Sequence, residues 1–132
     1  MIKFELNPKK IVYKTFSSTV RNPLDEKKLN RLTIKGFGWK EKFKKMLTDI
    51  FIATENYELE IVKITFSSDG FLTVEEKDLK TIFLGFNPNL IKYQLQKINN
   101  LKNELKKSSF SKKIDSIDLT NPDKPKIKVF KP

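Results

Sequence analysis

Cysteine and histidine are both missing from the 132 residues of this chain. Their absence removes thiol nucleophiles, disulfides, zinc sites of the usual ligand types and the commonest general base. A chain without cysteine suits either redox compartment, so this feature does not locate the protein. Arginine is nearly absent too, confined to Arg21 and Arg31. Long hydrophobic runs are also lacking: the longest unbroken one is Ile50 to Ala53, whereas a membrane-spanning helix needs about 20 mainly apolar residues. Lys3, Glu5, Lys9 and Lys10 interrupt the first ten residues, which leaves no signal-peptide pattern. The chain alone is expected to be soluble, with any membrane reached only through a segment outside it.

What is present suffices for a core. The hydrophobic share is 38% and includes eleven phenylalanines, too much for a disordered chain. A chain of this length buries roughly two-thirds of its unfolded surface and needs no covalent staple. The formal net charge is +11, which invites a nucleic-acid reading. Nearly all of the cations are lysine, however. The forked guanidinium that carries most direct base recognition is scarce, so the charge reads mainly as a solvated lysine-rich surface.

Ile2, Phe4 and Leu6 alternate with Lys3 and Glu5, the period of a half-buried strand. Ile11 to Phe16 is a second strand candidate, and 17–30 reads as a loop. Leu32 to Lys35 is a short apolar segment closed by Gly36-Phe37-Gly38. From Trp39 to about Glu55 the residues Trp39, Phe43, Met46, Leu47, Ile50 and Phe51 share one helical face. A meander of three strands is expected next: Leu59–Phe66, Phe71–Glu75 and Leu79–Leu84. Ser67-Ser68-Asp69-Gly70 joins the first two as a hairpin turn. With no histidine to act as base, it does not read as a nucleophile loop. Asn87-Pro88 predicts the start of a second helix, whose stripe is Ile91, Leu95, Ile98, Leu101 and Leu105.

Ile114 to Leu119 predicts another strand. Strict alternation would put Asp115, Ile117 and Leu119 on one face and Ile114, Ser116 and Asp118 on the other. Asp115 and Asp118 are then no acid/base pair. The final strand, Lys126-Ile127-Lys128-Val129-Phe130, reads as a sheet edge with unpaired main-chain groups on which a partner strand can add. The same lysines, with Pro125 and Pro132, are also the usual devices that blunt an edge. The fold class expected is α+β, a mainly antiparallel sheet with two long amphipathic helices packed against it.

The order of these segments carries a family resemblance. A Leu84-Gly85-terminated strand, a helix with a Leu/Ile stripe, Ile114-Asp115-Ser116-Ile117-Asp118-Leu119-Thr120-Asn121-Pro122 and a closing Lys126-Ile127-Lys128-Val129 strand resemble the C-terminal half of the FtsQ/DivIB cell-division family. Leu32 to Gly36, the helix after Trp39, and Ile61 to Ile64 with Asp69 to Leu72 extend the likeness over about residues 32–130. The resemblance implies residues 32–132 as an extracytoplasmic β-domain. Residues 1–31 then supply N-terminal strands and a linker, or the end of a preceding POTRA-like domain. It also implies a non-enzymatic divisome scaffold on the outer side of the bacterial cytoplasmic membrane at the septum. Such a scaffold is anchored by a membrane helix that this chain does not carry. The implied partners are the small coiled-coil proteins FtsB (DivIC) and FtsL, received at the last strand, so Lys126, Ile127, Lys128, Val129 and Phe130 are the expected protein-binding residues. No cofactor, metal or small-molecule substrate is implied. The rival reading is a lysine-rich nucleic-acid-binding domain with Tyr93, Phe110 or Trp39 as stacking surfaces.

Overall fold

The computed structural model describes residues 3–6, 32–107 and 113–130. The strand expected at 11–16 and the loop at 17–30 lie outside these residues. Among the described residues, seven strands and two helices follow one another as β1 (Lys3–Leu6), β2 (Thr33–Phe37), α1 (Lys42–Asn56), β3 (Ile61–Phe66), β4 (Leu72–Glu76), β5 (Lys80–Gly85), α2 (Ile91–Lys106), β6 (Ile114–Asp118) and β7 (Lys126–Val129). All seven strands lie in one sheet in simple sequence order, β1 to β7.

The sheet corrects the expected fold class. It is mixed, not mainly antiparallel with helices as the principal partners: β2–β3 and β5–β6 are parallel, and the other four neighbouring pairs are antiparallel. The reason lies in the two helical stretches. Each connects neighbouring strands, and a chain that returns along a helix re-enters the sheet in its original direction. The Asp69-Gly70 hairpin and the β3-β4-β5 meander follow the sequence expectation.

Both crossovers step the same way along the sheet. Their common handedness therefore places α1 and α2 on one face, where they touch each other. Burial alternates accordingly. Ile34, Ile64, Phe66, Leu72, Val74, Ile82, Leu84, Ile114 and Ile117 are buried beneath the helices, while Thr33, Lys35, Lys63, Thr65, Thr73, Glu75, Thr81 and Phe83 are half-buried on the other face. Phe43 of α1 stacks on Phe66 of β3 with ring centroids 3.9 Å apart, and neither ring is exposed. Each such side chain contributes about 1.5–3 kcal/mol by leaving water. Gly36 is required by this packing, since a Cβ there would lie 2.7 Å from both the Phe4 ring and the Phe66 carbonyl oxygen.

The chain is internally repetitive. The unit β2-α1-β3-β4 recurs as β5-α2-β6-β7, with the same pattern of one parallel and one antiparallel pairing. The ladder irregularity recurs as well, between Ile61 and Lys63 in the first unit and between Ile114 and Ser116 in the second. Thr33-Ile34 leading to Gly36-Phe37 matches Thr81-Ile82 leading to Gly85-Phe86.

The second irregularity corrects the alternation expected for β6. A bulge lets two successive residues oppose one, so Ile114 and Ile117 are buried together instead of facing apart. Two helix starts also shift. α1 begins at Lys42, leaving Trp39 ahead of it. Asn87 does not cap α2; its side chain accepts the Asn89 N–H at 2.9 Å in a local turn, and the helix begins at Ile91.

Candidate docking edge and the sheet face opposite the helices

Among the described residues, β7 is the last strand of the sheet and pairs only with β6. Asp123-Lys124, the turn before it, is organised by Asn121, whose Oδ1 accepts the Asp123 N–H at 3.1 Å, and by the Lys124 N–H, which donates to the Asn121 carbonyl at 3.0 Å. Every residue of β7 is exposed. The strand runs antiparallel to β6 with Ile127 opposite Ile117, Lys126 opposite Asp118 and Lys128 opposite Ser116. Ile127 and Val129 therefore lie on the helix side at the end of the core, still 40% and 38% exposed. Lys126 and Lys128 project on the other face. Phe130, just past the strand, is 56% exposed.

The main chain of β7 has two distinct sides. The Phe130 N–H donates inward to the Lys113 carbonyl at 2.7 Å. Along an antiparallel ladder, residues alternate between exchanging hydrogen bonds with the neighbour and pointing away from it. Lys128 and Lys126 thus turn inward like Phe130, while the N–H and C=O of Ile127 and Val129 point outward. All five residues expected at the docking site form one continuous lip.

β4 occupies the position in the first unit that β7 occupies in the second. Its outer side is filled by β5, running antiparallel; no described strand fills the equivalent side of β7.

The face away from the helices is threonine-rich, with Thr33, Thr65, Thr73 and Thr81 on four adjacent strands. Lys35 and Lys63 lie close together there. The Lys63 ammonium holds the Lys35 amine below the ordinary lysine range, first through a hydrogen bond and then through like charge. Toward the end where β3 meets β4, Phe71 contacts Phe86 edge-on at 5.1 Å and Phe83 at 6.3 Å. Lys40 and Lys42 reach this rim from the start of α1, donating to the Asp69 and Phe86 carbonyls at 3.4 and 3.1 Å.

The other residues singled out from sequence have structural partners. The Ser67 hydroxyl donates to Asp69 and accepts the Phe71 N–H, which lowers the Asp69 carboxyl's pKa and makes this loop a turn. Asp115 approaches Lys128 at 3.9 Å. Asp118 accepts the Thr120 hydroxyl and N–H at 2.6 and 2.9 Å. The two carboxylates thus have separate partners, although the bulge removes the alternation that was to separate them. Among the described residues no cluster of three His, Cys, Asp or Glu side chains is placed to hold a metal ion, and no helix is long and apolar enough to cross a membrane.

The proposed stacking aromatics are not brought together. The Tyr93 hydroxyl donates to Asp123 at 2.7 Å and its ring carries Lys97. Trp39 sits edge-on against Phe4 and Phe43, and Phe110 lies outside the described residues.

Sequence reasoning missed the buried polar groups. Glu76 and Lys102 pair at 2.6 Å with almost no exposure. Gln94 is fully buried, donating through Nε2 to the Leu84 and Leu119 carbonyls at 2.6 and 2.8 Å. One signal was available: Gln94 and Lys102 fall three and eleven residues beyond Ile91, within the apolar stripe of α2.

No family model matches the chain, and neither the curated proteins nor the solved structures yield a match.

Proposed function

We propose that this chain is a non-enzymatic docking domain that accepts a partner's strand along β7. The observation that carries the reading is the side of that strand that no described strand occupies, where the main chain of Ile127 and Val129 points outward beside exposed Ile127, Val129 and Phe130. An added strand satisfies those groups by β-augmentation. The repeat supports an antiparallel orientation, because β4 already receives β5 that way. Lys126 and Lys128 favour acidic side chains on the incoming strand. The resemblance to FtsQ/DivIB adds the biological setting: a septal, membrane-anchored parent and small coiled-coil partners of the FtsB/DivIC and FtsL type.

The test is binding of an FtsB/DivIC-type partner to single proline variants. Proline at 127 or 129 removes an outward N–H and none of the hydrogen bonds to β6, a position where edge strands tolerate proline. Ile127→Pro and Val129→Pro are expected to abolish binding while the far-ultraviolet circular dichroism spectrum is retained. Unchanged affinity in folded variants refutes the reading.

A further inference from the structure

We infer that single-stranded nucleic acid binds the sheet face opposite α1 and α2 at its upper rim, with bases on Phe71, Phe83 and Phe86 and phosphates on Lys40 and Lys42. This site is separate from the β7 edge.

Three observations support it. First, the aromatic trio is misplaced for a core. Phe83 alternates with buried Ile82 and Leu84, and Phe71 precedes buried Leu72, so both half-buried rings lie on the face opposite α1 and α2. Phe86 is 48% exposed. Its ring stands at 83° to that of Phe71, so the two present π-faces in different directions. Second, cations converge beside these rings. A Cβ placed on Gly70 would lie 3.3 Å from the Lys40 ammonium and 3.6 Å from that of Lys42, which sets both charges next to the residue preceding Phe71. Both lean on main-chain carbonyls, and among the described residues neither forms an ion pair with a carboxylate. The first turn of α1 carries no acidic side chain; the neighbouring carboxylates are Glu41, between the two lysines in sequence, and Asp69, whose carboxyl Lys40 helps to hold in its charged form. Third, the neighbouring surface is threonine-lined, with Thr65, Thr73 and Thr81 on adjacent strands.

Aromatic platforms beside cations that track a phosphate backbone are the chemistry of single-strand binding. On an open sheet, exposed aromatic rings stack unpaired bases. An acidic peptide would use the lysines and leave the rings idle. Arginine scarcity implies binding without base readout, and therefore tolerance of sequence.

The experiment is fluorescence anisotropy with a labelled 15-nucleotide oligo-dT on the full chain, titrated across salt. Binding is expected at low salt, with a log–log salt slope of about −1.4 for two phosphate contacts. Phe86→Ala is expected to weaken binding roughly tenfold, and Phe86→Tyr to restore it. Lys40→Gln with Lys42→Gln is expected to abolish the salt slope. Ile127→Pro is expected to leave oligonucleotide binding untouched, so failure here and failure of strand docking are distinguishable. The inference is overturned by no binding at low salt or by an affinity that Phe86→Ala leaves unchanged, since the lysines would then be acting as a simple polyanion surface. Binding of anionic phosphatidylglycerol vesicles in place of the oligonucleotide overturns it as well.

Discussion

Replacing Lys102 with methionine removes the ammonium from a buried junction that ties α2 to the β4–β5 turn. In the intact protein Lys102 Nζ donates to Glu76 Oε2 at 2.6 Å and to the Glu58 carbonyl at 2.8 Å. The same Glu76 carboxylate accepts the N–H groups of Glu60, Asp78 and Leu79 at 2.7, 2.8 and 3.2 Å. It thereby closes the turn and pins the segment ahead of β3. Lys102→Met leaves the carboxylate buried but still held by three N–H donors, so the main cost is the charge-assisted bond to Glu76, roughly 1.5–3 kcal/mol, with the loss of the Glu58 carbonyl's donor added to it. Glu76→Ala is worse, because three N–H groups lose their acceptor and the buried ammonium is left with the Glu58 carbonyl and Asp78 at 3.5 Å. Breaking a buried pair this way costs about 3–5 kcal/mol, a large part of the 5–15 kcal/mol stability ordinary for a domain. Urea unfolding monitored by tryptophan fluorescence and circular dichroism measures both. The expected order is Glu76→Ala, then Lys102→Met, then wild type, with the double variant Glu76→Leu/Lys102→Met recovering part of the loss. Losses under about 1 kcal/mol in both single variants would show that the junction behaves as an ordinary surface ion pair, and the reasoning fails.

Gly36→Ala drives a methyl into the Phe4 ring and the Phe66 carbonyl, and is expected to cost about 1–3 kcal/mol in the same unfolding assay. Gln94→Leu strips the Leu84 and Leu119 carbonyls of their donor and is expected to cost about 1–3 kcal/mol for each carbonyl left unpaired, read as a lowered urea midpoint. The Thr120 hydroxyl and N–H hold the Asp118 carboxyl below its ordinary value of 3.8. A carboxyl depressed on folding stabilises above its unfolded pKa and loses that contribution as pH falls through the folded one. Thr120→Val is therefore expected to flatten the acid limb of stability below about pH 4, measured as thermal midpoint against pH.

The periodic parts of this fold were legible from sequence. Ile34, Phe43, Leu47, Ile64, Val74, Ile82 and Leu95 fall at the spacings that bury them, and Asp69-Gly70 announces its turn through the positive φ of Gly70, 91°. Strand direction was not. Reading two helices as layers on an antiparallel sheet overlooked that each sits between adjacent strands, which forces the parallel pairings β2–β3 and β5–β6. The β6 bulge was equally hidden, because strict alternation is the only rule that sequence spacing offers. At the candidate site, the strand β7 itself could be read from the alternation of Lys126 to Phe130. The cluster of Phe71, Phe83 and Phe86 could not, since residues up to fifteen positions apart are joined only by a hairpin register. Lys102 and Glu76 looked like surface charges in sequence because their burial depends on each other.

Amide hydrogen exchange along β7, with and without an FtsB/DivIC-type partner, tests the docking edge most directly. In the free chain the Lys128 and Phe130 amides are expected to be protected by β6, while those of Ile127 and Val129 exchange at rates near an unstructured peptide. Addition of the partner is expected to slow Ile127 and Val129 selectively. Protection of Ile127 and Val129 in the free chain equal to that of Lys128 would mean the outer side of β7 is already occupied, and would contradict the account.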